Sequence, residues 1–170
     1  MVCEAVLHSG TVTVAQAFQS AVQHHQAGRL AEAEGIYRQI LAQQPQHADA
    51  LHLLGVIALQ IGRNDAAAEL IAKAVAISAN VAAYHSNLGE AYRKMGRFDE
   101  AIGSFRNALR LEPGYAKAQN NLGAVFADRG DFEESVAAFR RAVELQPDYA
   151  QAWCNLGGAL AKRKIGRAHV

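Results

Sequence analysis

Residues 82–115, AAYHSNLGEAYRKMGRFDEAIGSFRNALRLEPGY, and residues 116–149, AKAQNNLGAVFADRGDFEESVAAFRRAVELQPDY, align end to end without a gap. Both segments carry Leu-Gly at places 7 and 8, Gly at 15, Phe at 24, Ala at 27 and Pro at 32. The same spacing extends through the chain. Gly28, Gly62, Gly96 and Gly130 stand 34 residues apart, as do Gly55, Gly89, Gly123 and Gly157. Leu54, Leu88, Leu122 and Leu156 precede the second glycine series, and Pro45 lies two periods before Pro113, with Ala79 in the intervening slot. Several independent residue series at one period are the signature of a repeat architecture. The frame they fix gives repeats 14–47, 48–81, 82–115 and 116–149, then a partial fifth over 150–164.

Each complete unit reads as two helices. The first spans about places 2–14 and ends at the Gly of place 15, which can take the left-handed conformation that stops a helix. The second helix follows two or three residues later and is blocked by the proline of place 32. Acids crowd its start (Glu32, Asp65, Asp99, Glu100, Glu133, Glu134) and cations come later (Arg38, Lys73, Arg106, Arg110, Arg140, Arg141), an order that complements the helix dipole. Small residues recur where helices must approach closely: the second glycine series, with Ala21 in repeat one, and Ala33, Ala67, Ala101 and Ser135 at place 20. Tyr37, Ile71, Phe105 and Phe139 at place 24 fill the remaining space. One helix pair cannot cover its own apolar stripes, so neighbouring pairs must stack.

Composition agrees with an all-α chain. Of 170 residues roughly one in five is Ala, while aromatics are 7%. That favours helix packing over β-branched and aromatic strands. Seventeen basic against sixteen acidic residues leave a net charge of +1, which lacks the basic excess of a nucleic-acid binder. Two cysteines, Cys3 and Cys154, make no disulfide framework and fit a reducing, cytoplasmic setting. No stretch approaches the roughly 18 apolar residues of a membrane helix. Residues 1–13, MVCEAVLHSGTVT, have no basic start and no unbroken apolar core, so they read as a loosely held lead-in rather than an export signal.

The chain resembles the tetratricopeptide repeat (TPR) family, whose pattern asks for a large residue at place 4, Leu-Gly at 7–8, an aromatic at 11, Ala at 20, Phe at 24, Ala at 27 and Pro at 32. Repeat three follows it nearly throughout, with His85 at place 4 and Tyr92 at 11; repeat one departs, with Ser20, Ala21 and His24 at 7, 8 and 11. The resemblance covers residues 14 to about 161. It implies a right-handed superhelix of antiparallel helix pairs whose first helices line a concave groove through places 2, 5, 6, 9, 12 and 13. Place 6 then supplies Gln19, Leu53, Asn87, Asn121 and Asn155. A run of amides can hold a peptide backbone, because each offers a donor and an acceptor. The alternative is that these amides bond adjacent helices or face water. The other groove places give Phe18, Val22, His25, His52, Val56 and Leu59 in repeats one and two, Ser86, Glu90, Arg93 and Lys94 in repeat three, and Lys117, Asn120 and Asp128 in repeat four. The expectation is a scaffold that binds protein or peptide partners, with Gln19, His52, Asn87, Glu90, Arg93, Lys94, Lys117, Asn120, Asn121 and Asn155 as its contact residues.

The chaperone-docking branch of the family clamps a terminal carboxylate with lysines, asparagines and an arginine. The corresponding places here hold His52, Val56, Asn87, Lys117 and Asn121, of which two match, and the arginine fork is absent. Chaperone docking is therefore not expected. No P-loop, GxGxxG, HExxH or CxxC occurs, and no cofactor or metal is expected. Adjacent His24 and His25 point to different helix faces, and Cys154 reads as a small buried or half-buried filler rather than a nucleophile.

Residues 24–63, HHQAGRLAEAEGIYRQILAQQPQHADALHLLGVIALQIGR, and 83–126 look like the start of bacterial proteins of the SPINDLY type, in which a TPR array precedes a glycosyltransferase domain similar to protein O-GlcNAc transferase. That resemblance implies a substrate-recruiting arm of a longer enzyme. A further alternative is a scaffold that self-associates through its convex face or its open C-terminal end. In the fifth repeat, place 15 is Lys164 instead of Gly. The final IGRAHV, 165–170, can be encoded by a string that matches the start of a common sequencing adapter, so those residues are expected to be non-native and the solenoid uncapped.

Overall fold

The computed structural model describes residues 12–168, and side chains through Ile165. All the secondary structure among them is helical: α1 Val14–Gln26, α2 Leu30–Gln43, α3 Ala48–Gln60, α4 Asn64–Ile77, α5 Ala82–Lys94, α6 Phe98–Leu111, α7 Ala116–Arg129, α8 Phe132–Leu145 and α9 Ala150–Ala168. The helices form four antiparallel pairs and an unpaired ninth, in the frame set by the glycines. Of the expected lead-in 1–13, residues 1–11 lie outside the described residues. Thr13 is the cap of α1: its Oγ1 accepts from the Gln16 amide at 3.2 Å while its own amide donates to Gln16 Oε1 at 2.9 Å.

The glycines of place 15 end the first helices as their spacing requires. Gly28, Gly62, Gly96 and Gly130 have φ of 74°, 78°, 72° and 93°. The residue after each donates its amide five positions back, as in Arg97 to the Tyr92 carbonyl at 2.9 Å and Asp131 to that of Phe126 at 2.8 Å, the closure of a Schellman motif. Lys164 occupies the corresponding place in the fifth repeat, and α9 runs on past it to Ala168. Without the glycine nothing turns the chain. The acids expected at the starts of the second helices are there, but of the expected later cations only Arg110 stands in the last turn of its helix; the others lie too early to meet the terminal carbonyls.

The core is a row of small clusters, each joining neighbouring repeats. Each first helix packs on its own second helix, each second helix on the next first helix, and consecutive first helices touch along a narrow seam. Tyr37, Ile71, Phe105 and Phe139 are buried at place 24. Opposite them the glycines make room for the close approach: a Cβ on Gly55 would lie 2.5 Å from Ile71 Cγ1, on Gly123 2.8 Å from the Phe139 ring, and on Gly89 3.0 Å from that of Phe105. Gly157 breaks the series, with nothing within 4 Å of a Cβ, because among the described residues no second helix packs on that face of α9. At place 20 Ser135 replaces alanine and ties its hydroxyl to the Gly123 carbonyl at 2.9 Å.

Candidate functional site: the concave face

The seam between consecutive first helices brings a residue of one repeat against the residue 35 positions later, so place n meets place n+1 of the next repeat. In this register place 5 stands opposite place 6 of the next repeat, and this pairing decides the fate of the amide ladder. Between repeats one and two the pair is Phe18 with Leu53, both packed on the same apolar cluster. Between two and three, His52 Nε2 lies 2.8 Å from Asn87 Nδ2. Between four and five, Asn155 Nδ2 donates to Asn120 Oδ1 at 2.9 Å. Asn87 and Asn155 are thus engaged between helices, and Gln151 Nε2 donates at 3.0 Å to the remaining oxygen of Asn155.

The junction between repeats three and four differs. Its pair is Ser86 and Asn121. Ser86 is 1% exposed, and its hydroxyl finds no hydrogen-bond partner among the described residues. Asn121 is half-buried; its oxygen accepts from Asn120 Nδ2 at 3.3 Å. The seryl side chain is too short to continue the ladder that His52 and Asn120 maintain on either side.

A second layer surrounds the first of these junctions. The Tyr84 hydroxyl donates to Asp49, and the Tyr84 ring lies 4.5 Å from that of His52. Burial pushes the His52 imidazole down to about 4, against a smaller opposing pull from Asp49. Burial and the Asp49 contact both raise the Tyr84 hydroxyl. His52 is therefore neutral near neutral pH.

Of the other expected contact residues, Glu90, Arg93 and Lys94 form one network with Asp128. Arg93 holds Glu90 with two bonds, 3.0 and 2.9 Å, and reaches Asp128 in the next repeat at 2.7 Å. Lys94 lies 3.9 Å from Glu90. This arginine is anchored rather than available as a clamp. Gln19 and Lys117 are exposed. His25, on the rim of repeat one, meets Gln60 at 3.2 Å through the same 35-residue register, while His24 accepts from Arg29 at 3.0 Å. An open cleft of about 470 Å³ follows the groove from α7 to α9, lined by Arg93, Asn121, Asp128, Gln151, Asn155 and Lys162 among others.

Cys154 corrects the sequence reading. It is exposed, whereas His52, Ser86 and Asn120 at the same place 5 are buried. His52 and Asn120 meet place 6 of the following repeat, and no such residue follows α9 among the described ones. The seam register is also what sequence reasoning missed at the place-6 amides: the period shows equivalent positions, but not which places face each other across a junction. Among the described residues no group of three or more His, Cys, Asp or Glu is arranged to hold a metal ion. No described helix is long and apolar enough to cross a membrane.

Comparison with solved structures finds the same fold. The chain is similar to the MamA protein, with a TM-score of 0.78 at 23% identity over 90% of this chain and 84% of that one. Against the structure of the APC/C hetero-tetramer Cut9-Hcn1 the TM-score is 0.83 at 22% identity, covering 88% of this chain and 30% of the other. YrrB, described as a TPR protein with an unusual peptide-binding site, gives 0.74 at 20% identity over 83% of this chain and 73% of that one. No curated protein sequence matches the chain. Tetratricopeptide repeat family models match residues 24–90, 86–150 and 125–166. With the 34-residue frame, the glycine-stopped first helices and the paired solenoid, these matches place the chain in the tetratricopeptide repeat family.

Proposed function

We propose that this chain is a protein-binding scaffold that takes an extended segment of a partner along its concave face, centred on Ser86 and Asn121. The observation that carries the reading is the break in the inter-helix ladder. At the flanking junctions the place-5 and place-6 side chains bond each other, whereas Ser86 keeps a buried hydroxyl without a partner and Asn121 lines the groove cleft. A buried polar group without a partner is costly; a peptide along the groove meets Asn121 directly and reaches the Ser86 hydroxyl only when the seam side chains over it move aside. That YrrB, of the same fold, is described as having a peptide-binding site supports a peptide as the kind of ligand. Glu90, Arg93, Lys94 and Lys117 then set the charge along the path, while Gln19, Asn87 and Asn155 border it. The resemblance of residues 24–63 and 83–126 to SPINDLY-type arrays supports a narrower reading, the recruiting arm of a protein glycosyltransferase. A transferase domain in the same reading frame is the observation that decides it.

The test is selection of displayed random peptides on the immobilised chain, followed by calorimetric titration of a selected peptide. Asn121→Ala is expected to weaken binding about fivefold, the equivalent of roughly 1 kcal/mol for one hydrogen bond, with unchanged helicity. Selected peptides that bind Asn121→Ala and Ser86→Ala as tightly as the parent would place the ligand elsewhere and end this reading.

A further inference from the structure

In three of the four complete repeats the ring at place 11 is met by an arginine that follows it. In repeat three, Arg97 at place 16 lies over the Tyr92 ring, 4.6 Å from its centre. In repeat one, Arg29 at place 16 donates from Nε to the His24 ring at 3.0 Å. In repeat four, Arg129 at place 14 lies 5.7 Å from the centre of the Phe126 ring. The backbone arranges the meeting at place 16: its amide donates to the place-11 carbonyl, at 2.9 Å for Arg29 and Arg97 and 2.8 Å for Arg63. Repeat two keeps the arginine and lacks the ring. Place 11 is Ala58, and Arg63 makes no side-chain hydrogen bond, ion pair or ring contact among the described residues. Between α2 and α4, over α3, lies a cleft of about 270 Å³ lined by the buried Leu54, Ile57 and Ala58 together with Ile61, Arg63 and Leu70. One period later the corresponding cleft is lined by Tyr92 and Met95 and does not extend to Leu88 or Ala91, the counterparts of Leu54 and Ile57, because Tyr92 packs on the cluster that holds both. In repeat two no ring stands there, and Ile61 is left 47% exposed at the edge.

We propose that this cleft takes an aromatic side chain from a partner protein, with a carboxylate of the same segment against Arg63. The incoming ring occupies the position that Tyr92 holds in the next repeat. An apolar cavity of about 150 Å³ already accepts benzene, so the volume is sufficient. Charge selects the neighbour of the ring. The charged side chains on the cleft are Glu34, Arg38 and Arg63; Glu34 and Arg38 pair at 2.6 Å, which leaves the positive charge of Arg63 uncompensated. A guanidinium can cover a ring face and bond a carboxylate with its planar fork. Residues 1–11 and 166–170, whose side chains are not described, contain no Phe, Tyr or Trp, so none of them supplies the ring. The cleft shares no residue with the concave face, and this inference rests on neither the groove nor its ligand.

Titration of the isotopically labelled whole chain with three capped dipeptides, followed by amide NMR, tests it. Acetyl-Asp-Phe-amide is expected to move the signals of Ile57, Ala58, Ile61 and Arg63 to saturation. Acetyl-Asn-Phe-amide, which lacks the charge, is expected to bind about two- to fivefold more weakly, the range of an exposed ion pair. Acetyl-Asp-Ala-amide, which lacks the ring, is expected to leave the signals in place. Ala58→Tyr supplies the ring from the chain itself and is expected to keep the parent's helicity and abolish the shifts. Arg63→Gln is expected to bind acetyl-Asp-Phe-amide no more tightly than the parent binds acetyl-Asn-Phe-amide. Absence of a saturable shift at these residues overturns the proposal, as does an equal response to acetyl-Asp-Ala-amide or equal binding by Arg63→Gln and the parent. Signals of the free parent that move at these residues on dilution would assign the cleft to a second copy and overturn it as well.

Discussion

Adding one methyl group at two equivalent glycines is expected to stabilise the chain at one and not at the other. Gly55 and Gly157 occupy the same place in their repeats, and both lie inside helices. In each, Gly→Ala gains about 1 kcal/mol of helix propensity. At Gly55 the new Cβ would sit 2.5 Å from Ile71 Cγ1 and 3.2 Å from the Ala67 carbonyl oxygen. Ile71 is fully buried and Ala67 is backbone in the facing helix, so neither can withdraw cheaply, and overpacking of this kind costs about 1–3 kcal/mol. The net for Gly55→Ala runs from near zero to about 2 kcal/mol of destabilisation. At Gly157 nothing lies within 4 Å, so the propensity gain stands alone. Urea unfolding followed by circular dichroism, on dilute protein, measures both. Gly157→Ala should exceed Gly55→Ala in stability by about 1–3 kcal/mol, with Gly123→Ala close to Gly55→Ala because its Cβ would meet the Phe139 ring at 2.8 Å. Equal midpoints for Gly55→Ala and Gly157→Ala would refute the claim that close helix approach, rather than the repeat pattern itself, requires the glycine.

Two other perturbations follow from the same geometry. Gly96→Ala meets no steric neighbour but must hold a φ of 72°, so it is expected to lower stability by roughly 1–2 kcal/mol, read as a drop in the urea midpoint. The buried His52, with its folded value down at about 4 from 6.5, makes the unfolded chain the stronger proton binder between those values. Its contribution is complete above pH 6.5 and is lost as the pH falls toward 4, on the order of 3 kcal/mol in total; unfolding series at pH 7 and pH 4.5 should differ less for His52→Leu than for the parent.

The sequence alone determined the helices and their ends. The 34-residue period, the glycines of place 15 and the small residues of places 8 and 20 are local requirements: a left-handed turn and a close approach each restrict which residue fits, so they leave a mark at fixed spacing. Even the run-on of α9 follows from Lys164 standing where a glycine would stop it. The groove was legible only as a set of equivalent positions. Asn87, Asn121 and Asn155 look alike in the sequence, yet the fold engages the first with His52 and the last with Asn120, and sets the middle one beside an unpartnered Ser86. The same applies to Cys154, exposed where its counterparts are buried, and to Gly157, whose neighbours exist only where a second helix follows. Those outcomes depend on the register of 35 residues between adjacent first helices, which comes from how whole repeats stack. A side chain's partner across that seam is fixed by the packing of two helix pairs, and no property of the single repeat records it.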